Sequence, residues 1–549
     1  MREKKICAII TAMCILGIIF SGCGSDGIKV DNDTIGVGKV NVGENDVTVN
    51  TDVEINVGKI DAGSFSDNKE GIGMEKIEAL DFVKNPTWHN PVYTQKYSAD
   101  PYAMEYDGRI YLYMTGDQPM FTADGIKKTN DYSNINTIRV ISSADLVNWT
   151  DHGEVYAAGK DGAATWGGNS WAPAACWKMI DGKPKFFLYF ANSGNGIAVL
   201  SSDSPVGPFV DPIKEALVSR KTPTCAEVTW LFDPAVLVDD DGTGYLYFGG
   251  GVPGPDKVSN PGTARVAKLS DDMIHLDGDP IPIKDVLYLF EDSGINKVNG
   301  TYTYSYCTNY NVPESGCEGY GFGSGEIITM ESDSPMGPFT MVGSVLKNPG
   351  FFFKNGGNNH HCIFSFKDNW YITYHASLIE ESLDLSTGYR SVNIDKITVG
   401  DDGNFKPTRM SKEGVDQLGN FVPEGKVSFV TMSNQSGTEK VAADATTDKC
   451  GSGSFNLKVV ETGSWIQLSK VDFGEGKDTF KITLKGAVKG SISIRTKFLN
   501  SDDAARLVFD GSDEFSEYEV KLAEPVSGVN DLYFVFEGAD YELACWEIK

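Results

Sequence analysis

The chain has 549 residues, 41% hydrophobic and 11% aromatic, enough for about two to four globular domains. Its formal net charge of −28 would repel a phosphate backbone, which argues against nucleic acid as a partner and leaves a neutral ligand or a local site. Abundant Gly, Tyr and Phe, with few long apolar periodic stretches, favour an all-β protein.

The first element is a leader. Arg2, Lys4 and Lys5 precede an apolar run from Ile6 to Phe20, followed by Ser21-Gly22-Cys23. The run is short for a membrane span and suits a signal peptide. Small residues before a cysteine resemble a bacterial lipobox. The expectation over 1–23 is therefore cleavage before Cys23, lipidation of that residue, and an extracellular, cell-surface lipoprotein attached to the membrane only through its anchor. A plain signal peptide and a single anchor helix are the alternatives. Residues 24–78 are rich in Gly, Asn, Asp, Val and Ser, a composition that cannot bury enough apolar surface to order itself, and are expected to form a flexible linker. Recurring Val-x-Val alternation leaves a strand-forming extension as the runner-up.

Residues 79–424 contain an internal repeat. A turn with Asp-Gly, Asn-Gly or a similar pair precedes an aromatic strand five times. The copies are YDGRIYLYM from Tyr106, IDGKPKFFLYF from Ile180, DDGTGYLYFGG from Asp240, VNGTYTYSY from Val298 and KDNWYITYHA from Lys367. SDSPVGPF from Ser202 and SDSPMGPF from Ser332 are near duplicates, and SADLVNWT from Ser143 is a divergent copy. Five such units predict a five-bladed β-propeller of four-stranded blades. Residues 425–549 change character to short alternating strands such as SISIRTKF and DLYFVFEG, which predicts a separate β-sandwich. Beyond Cys23, seven cysteines are scattered without zinc spacing. Cys307 with Cys317, and Cys450 with Cys545, are possible bridges; buried free thiols are the equal alternative.

Three acids stand in apolar settings beside the repeat strands. Asp100 lies in YSADPYAMEYDGRIYLY, Asp233 in TWLFDPAVLVDDDGTGYLYF and Glu291 in LYLFEDSGINKVNGTYTYSY. Each alone reads as a turn residue or a solvated loop. Placed equivalently at the start of three blades, they would converge at one end of a central channel, where charge needs a use.

The pieces ADPYAMEYDGRIYLY, FDPAVLVDDDGTGYLYFGG, LFEDSGINKVNGTYTYSYC, SDSPMGPF, GGNNHHCIFSFKDNWYITYHA and GYRSVNIDKI together resemble glycoside hydrolase family 43, in the family's order. Within it, FEDSGI, the NNHH run and GYRS look most like arabinoxylan arabinofuranohydrolases. The resemblance implies inverting removal of α-L-arabinofuranosyl groups from arabinoxylan or a related cell-wall polysaccharide, with β-xylosidase or arabinanase activity as alternatives. A non-catalytic polysaccharide-binding lipoprotein is the reading from a different class. The resemblance also implies Asp100 as general base, Glu291 as general acid and Asp233 as the residue that orients Glu291 and raises its pKa. Arg390, in GYRS, would hydrogen-bond sugar hydroxyls. Trp171, Phe232 and His361 complete the expected substrate contacts, with blade packing the competing role for either aromatic. His360 would hold a hydrated metal such as calcium or lie beneath the sugar, a satisfied core histidine being the alternative; no cofactor is otherwise required. The partner expected is arabinoxylan, xylan or arabinan, bound by a monomer.

GSWIQLSKVDFGEG, GVNDLYFVFEG and ACWEIK resemble a family 6 carbohydrate-binding module of jelly-roll fold. The expected opening acids and the closing Asn and Asp are absent, so calcium and sugar ligands are both in doubt. Phe515, Tyr518 and Trp465 remain candidates for stacking on sugar.

Overall fold

The computed structural model describes residues 83–443, 447–450 and 455–549. Cys23 and the expected leader and linker lie outside the described residues. Within them the regular secondary structure is almost entirely strand, with one α-helix of five residues, Leu378–Ser382.

Five antiparallel sheets follow one another along the chain. The first holds Ala99–Tyr106, Arg109–Thr115, Thr137–Ser143 and Trp149–Tyr156. The second holds Trp171–Ile180, Lys183–Ala191, Gly196–Ser202 and Val218–Ser219. The third runs from Ala235–Val238 to Ile281–Pro282 and the fourth from Leu289–Val298 to Thr340–Leu346, four strands each. The fifth has three: His361–Phe366, Asn369–Ala376 and Ser391–Ile397. Each repeat turn folds as expected, joining the first strand of a sheet to the second. In four of them the Asp or Asn adopts positive φ: Asp107, Asp181, Asn299 and Asp368.

The aromatic second strands are apolar on both faces because neighbouring sheets cover both sides. Phe186 to Ala191 is buried throughout. One buried cluster joins residues of the first and second sheets, another those of the second and third, and others the third and fourth and the fourth and fifth. A further cluster joins the fifth sheet to the first, packing Phe364, Tyr371 and Ile394 with Ile110 and Leu112. The near-duplicate octapeptides do the same work twice. Tyr113 of the first sheet donates to the Pro205 carbonyl at 2.5 Å, and Tyr247 of the third donates to the Pro335 carbonyl at 2.6 Å.

The C-terminal residues form two further sheets around one core that includes Phe429, Ile466, Phe480, Phe534 and Trp546. This unit is bound tightly to the first sheet. Thr431–Met432 pairs with Trp149 and Thr150 as a fifth strand. Asn148 and Ser469 exchange hydrogen bonds at 3.0 and 2.8 Å. Lys440 reaches buried Asp151 and the Tyr93 hydroxyl. Gly153 is obligatory here, since any β-carbon would collide with the Phe455 ring. Trp465, expected as a stacking residue, is only 9% exposed and packs against Tyr533; its position in a strand of the sheet removes its ring from solvent. The seven described cysteines are free thiols; Cys450 donates to the Lys426 carbonyl at 3.9 Å and Cys545 to the Lys449 carbonyl at 3.6 Å.

Candidate active site

The acids owe their direction to a repeated distortion at or just before the first strand of a sheet. The pairing of the first and second strands shifts register between Ala99 and Tyr102, between Trp171 and Ala174, and on both sides of Glu291. At these points Asp100, Ala172 and Asp292 adopt positive φ of 45°, 40° and 70°; Asp233, just ahead of its strand, has 49°. For a non-glycine residue, and all the more before proline, this conformation costs about 1–2 kcal/mol. Such bulges re-aim side chains. In the first, third and fourth sheets the re-aimed side chains are carboxylates, and they meet around one histidine.

That histidine is His360. Its Nδ1 lies 3.6 Å from Asp100 Oδ1 and 3.8 Å from Asp233 Oδ2, and its Nε2 lies 3.2 Å from Asp292 Oδ1. Burial alone would lower its pKa, but Asp292, Asp100 and Asp233 outweigh that and raise it. His360 thus turns both ring nitrogens to carboxylates, which favour its protonated form. Among the described residues no cluster of three or more His, Cys, Asp or Glu is disposed to hold a metal ion.

Asp100 is buried and bound on one oxygen. Arg390 Nη1 donates to its Oδ1 at 2.8 Å. Its backbone N–H donates to His375 Nδ1 at 3.2 Å, and His375 Nε2 faces the Asn358 carbonyl at 3.0 Å. Burial would raise the Asp100 pKa, yet Arg390, His360 and His375 together hold it well below the ordinary carboxylate range. Its Oδ2 has no protein partner among the described residues.

Glu291 is the opposite case. It is buried, its Oε1 has no hydrogen-bond partner, and burial together with Asp233, Asp100 and Asp292 raises its pKa well above normal. Asp233 is also raised, to about 7, by burial, with Asp100 and Asp292 adding to it against the pull of His360. Its Oδ2 accepts the backbone N–H of Asp292 at 2.9 Å.

Arg390 enters from the turn before Ser391–Ile397. Buried Glu380 pins that turn by accepting the N–H groups of Thr387 and Gly388, both at 2.8 Å. The guanidinium donates from Nε and Nη2 to Asp117 at 2.9 and 2.7 Å and from Nη1 to Asp100, so three of its five N–H donors are engaged by carboxylates. Its principal role in the structure is this clamp, which leaves two N–H groups for any sugar hydroxyl. The ring of Tyr132, 36% exposed, lies 5.1 Å from the guanidinium carbon. Trp171 meets Tyr132 edge-on and donates its indole N–H to the Tyr132 carbonyl at 3.1 Å.

Two expected sugar contacts are placed elsewhere. Phe232 is 6% exposed and wedged between Trp230 and Gly250, where a β-carbon would collide with its ring. The ring packs the third sheet; the exposed aromatic on this side is Tyr310, at 47%, which meets Phe290 edge-on. His361 is fully buried, with Nδ1 2.5 Å from Asp292 Oδ2 and Nε2 2.8 Å from Ser305 Oγ. It supports Asp292, and has no free edge for a sugar. Asp117, Asp292, His375 and Tyr132 were not singled out in the sequence. Asp117 and His375 had a signal of sorts, each being a polar residue closing an aromatic second strand. Asp292 had none, since alternation puts it on the face opposite Glu291.

Comparisons with known proteins agree with this geometry. The profile of glycosyl hydrolases family 43 matches residues 88–405, and that of carbohydrate binding module family 6 matches residues 430–549. An arabinoxylan arabinofuranohydrolase of Paenibacillus polymyxa is 44% identical over 473 residues, covering 83% of this chain and 73% of its own. One of Bacillus subtilis strain 168 is 43% identical over 470 residues, covering 82% and 89%. The crystal structure of a family 43 arabinoxylan arabinofuranohydrolase from Bacillus subtilis, in complex with cellotetraose, superposes with a TM-score of 0.80 at 40% identity, covering 85% of this chain and 98% of that one. With the family profile spanning more than half of its length and the acids gathered in one buried site, the chain belongs to glycosyl hydrolase family 43 and is a glycoside hydrolase.

Proposed function

We propose that the enzyme removes α-L-arabinofuranosyl side chains from arabinoxylan or a related hemicellulose with inversion of configuration. The observation that carries this reading is the contrast in surroundings within one buried cluster, with Asp100 ion-paired to Arg390 and Glu291 holding an unpartnered oxygen among carboxylates. Against the effect of burial, Arg390 moves the Asp100 pKa down, while burial and neighbouring carboxylates move that of Glu291 up. An acid–base pair working at one pH needs such a separation. Asp100 Oδ2 deprotonates a water as it attacks the anomeric carbon from one side of the sugar ring. Glu291 protonates the departing glycosidic oxygen on the other. Asp233 fixes the strand turn that carries Glu291 and repels its ionised form. His360 and Arg390 balance the charge. Tyr132, Trp171 and Tyr310 flank the cluster and are suited to stacking on sugar.

The arabinose preference rests on the relatives named arabinoxylan arabinofuranohydrolases. A panel of 4-nitrophenyl arabinofuranoside and xyloside, wheat arabinoxylan and linear arabinan tests it, with NMR of the first-formed sugar reporting the anomer. Release of β-arabinofuranose from arabinoxylan is expected. Xylose release alone, a retained anomer, or no release would overturn the reading.

We further infer that the five sheets are the blades of a five-bladed β-propeller over 79–424 and that 425–549 is a jelly-roll sandwich. The cluster linking the fifth sheet to the first supports the former, and the shared core of two sheets the latter. Lipidation at Cys23, an extracellular cell-surface location and a monomeric state complete the proposal; the basic and apolar leader supports the first two. Incorporation of labelled palmitate, lost in Cys23→Ala, tests the anchor, and light scattering tests the monomer.

A further inference from the structure

The division of Arg390 between two carboxylates is unequal. Asp117 is completely buried and takes two guanidinium nitrogens, Nε at 2.9 Å and Nη2 at 2.7 Å, and also the Arg390 backbone N–H at 3.1 Å. Asp100 takes only Nη1, on Oδ1. A guanidinium fork pairs most strongly with a carboxylate through two parallel N–H bonds. Released from Asp117, Arg390 would offer that bidentate arrangement to Asp100 and occupy Oδ2 as well. Asp117 is itself fixed. Its carbonyl accepts from Arg139 Nη2 at 3.2 Å, and the preceding Gly116 packs so closely on Thr137 that no β-carbon fits.

We propose that Asp117 is a positioning residue for the hydrolysis: by holding Arg390 through two nitrogens it limits Asp100 to a single guanidinium contact and keeps Asp100 Oδ2 available to the attacking water. The proposal rests on the assignment of Asp100 as the base. Asp117 touches no reacting atom and acts only through Arg390.

The test compares wild type, Asp117→Asn, Asp117→Glu, Arg390→Met and the double variant Asp117→Asn/Arg390→Met on wheat arabinoxylan and on 4-nitrophenyl arabinofuranoside. Thermal unfolding is followed in parallel. Asp117→Asn is expected to lose about 100-fold in kcat, the scale of a misplaced catalytic group, with KM little changed. Asp117→Glu keeps the charge but moves it by one methylene; it is expected to stay folded and to lose kcat as well. In the Arg390→Met background, Asp117→Asn is expected to cost less than about threefold more, because residues acting as a unit are not additive. The inference is overturned if both Asp117 variants keep kcat within about threefold of wild type, or if the Asp117 and Arg390 losses multiply. A wild type that releases no arabinose would sink the functional reading instead. An active wild type silenced by Asp100→Asn but indifferent to Asp117 would sink this inference alone.

Discussion

The carboxylate of Asp233 accepts the backbone N–H of Asp292 at 2.9 Å, and so fixes the strand turn whose preceding residue, Glu291, holds an unpartnered buried oxygen. Orientation and electrostatics are thus joined in one residue. Asp233→Asn keeps an acceptor for that N–H but removes the charge that raises the Glu291 pKa. Glu291 must be protonated to act, so a lower pKa moves the alkaline limb of the kcat/KM profile to lower pH. An alkaline limb that stays in place would show that burial, the larger influence, acts without help from Asp233.

Loss of the base and loss of the acid should differ by substrate. Asp100→Asn is expected to cost about 10²–10⁴-fold on every substrate, since all need an activated water. Glu291→Gln is expected to cost as much on arabinoxylan but far less on 4-nitrophenyl arabinofuranoside, whose leaving group departs without a proton. Steady-state rates on the two substrates check this; equal losses for Glu291→Gln would remove it as the acid.

Glu291 and Asp233 are expected to reduce stability at neutral pH. Glu291 is raised well above 4.5 and Asp233 from 3.8 to about 7, so the folded chain keeps protons that the unfolded chain releases. Stability from these groups is full below about pH 4 and is lost as pH rises towards 7 and beyond. Glu291→Gln should therefore melt at the wild-type temperature near pH 4, and higher than wild type at pH 7. A gain of about 1 kcal/mol would appear as roughly 2–4 °C. Calorimetry at the two pH values decides it.

The contact between the C-terminal unit and the first sheet carries a stability prediction. Lys440 and Asp151 are both buried. Lys440→Met strands the buried Asp151 charge and should cost about 3–5 kcal/mol; Asp151→Ala should cost less, because burial already pulls the Lys440 pKa well down and its amine can shed the proton; Lys440→Met with Asp151→Leu should recover most of the loss. Chemical denaturation of the three variants tests the asymmetry. Single variants as stable as wild type would mean that strand pairing at Thr431–Met432 holds the two parts together without the pair.

How much of this could be read from the sequence follows the range of the forces involved. Strand and turn positions are local. Aromatic residues recur beside Asp-Gly and Asn-Gly pairs, so the five sheets and their order were legible, as were the octapeptides that tie one sheet to the next. Asp100, Asp233 and Glu291 were legible because each sits at the same place in its repeat. What the alternation rule could not show is the positive φ at Asp100, Asp233 and Asp292. A bulge puts two consecutive residues, Glu291 and Asp292, into one site where a regular strand would separate them. Nor could spacing show that His360 faces three carboxylates, that Phe232 and His361 are buried, or that Asp117 shares Arg390 with Asp100 across 273 residues of chain. The sequence by itself determined the elements, their order and which acids are available, because hydrophobic periodicity and turn chemistry act between near neighbours. Only the tertiary structure decided in which direction each acid's pKa moves, because that depends on burial and on charges brought together from distant parts of the chain.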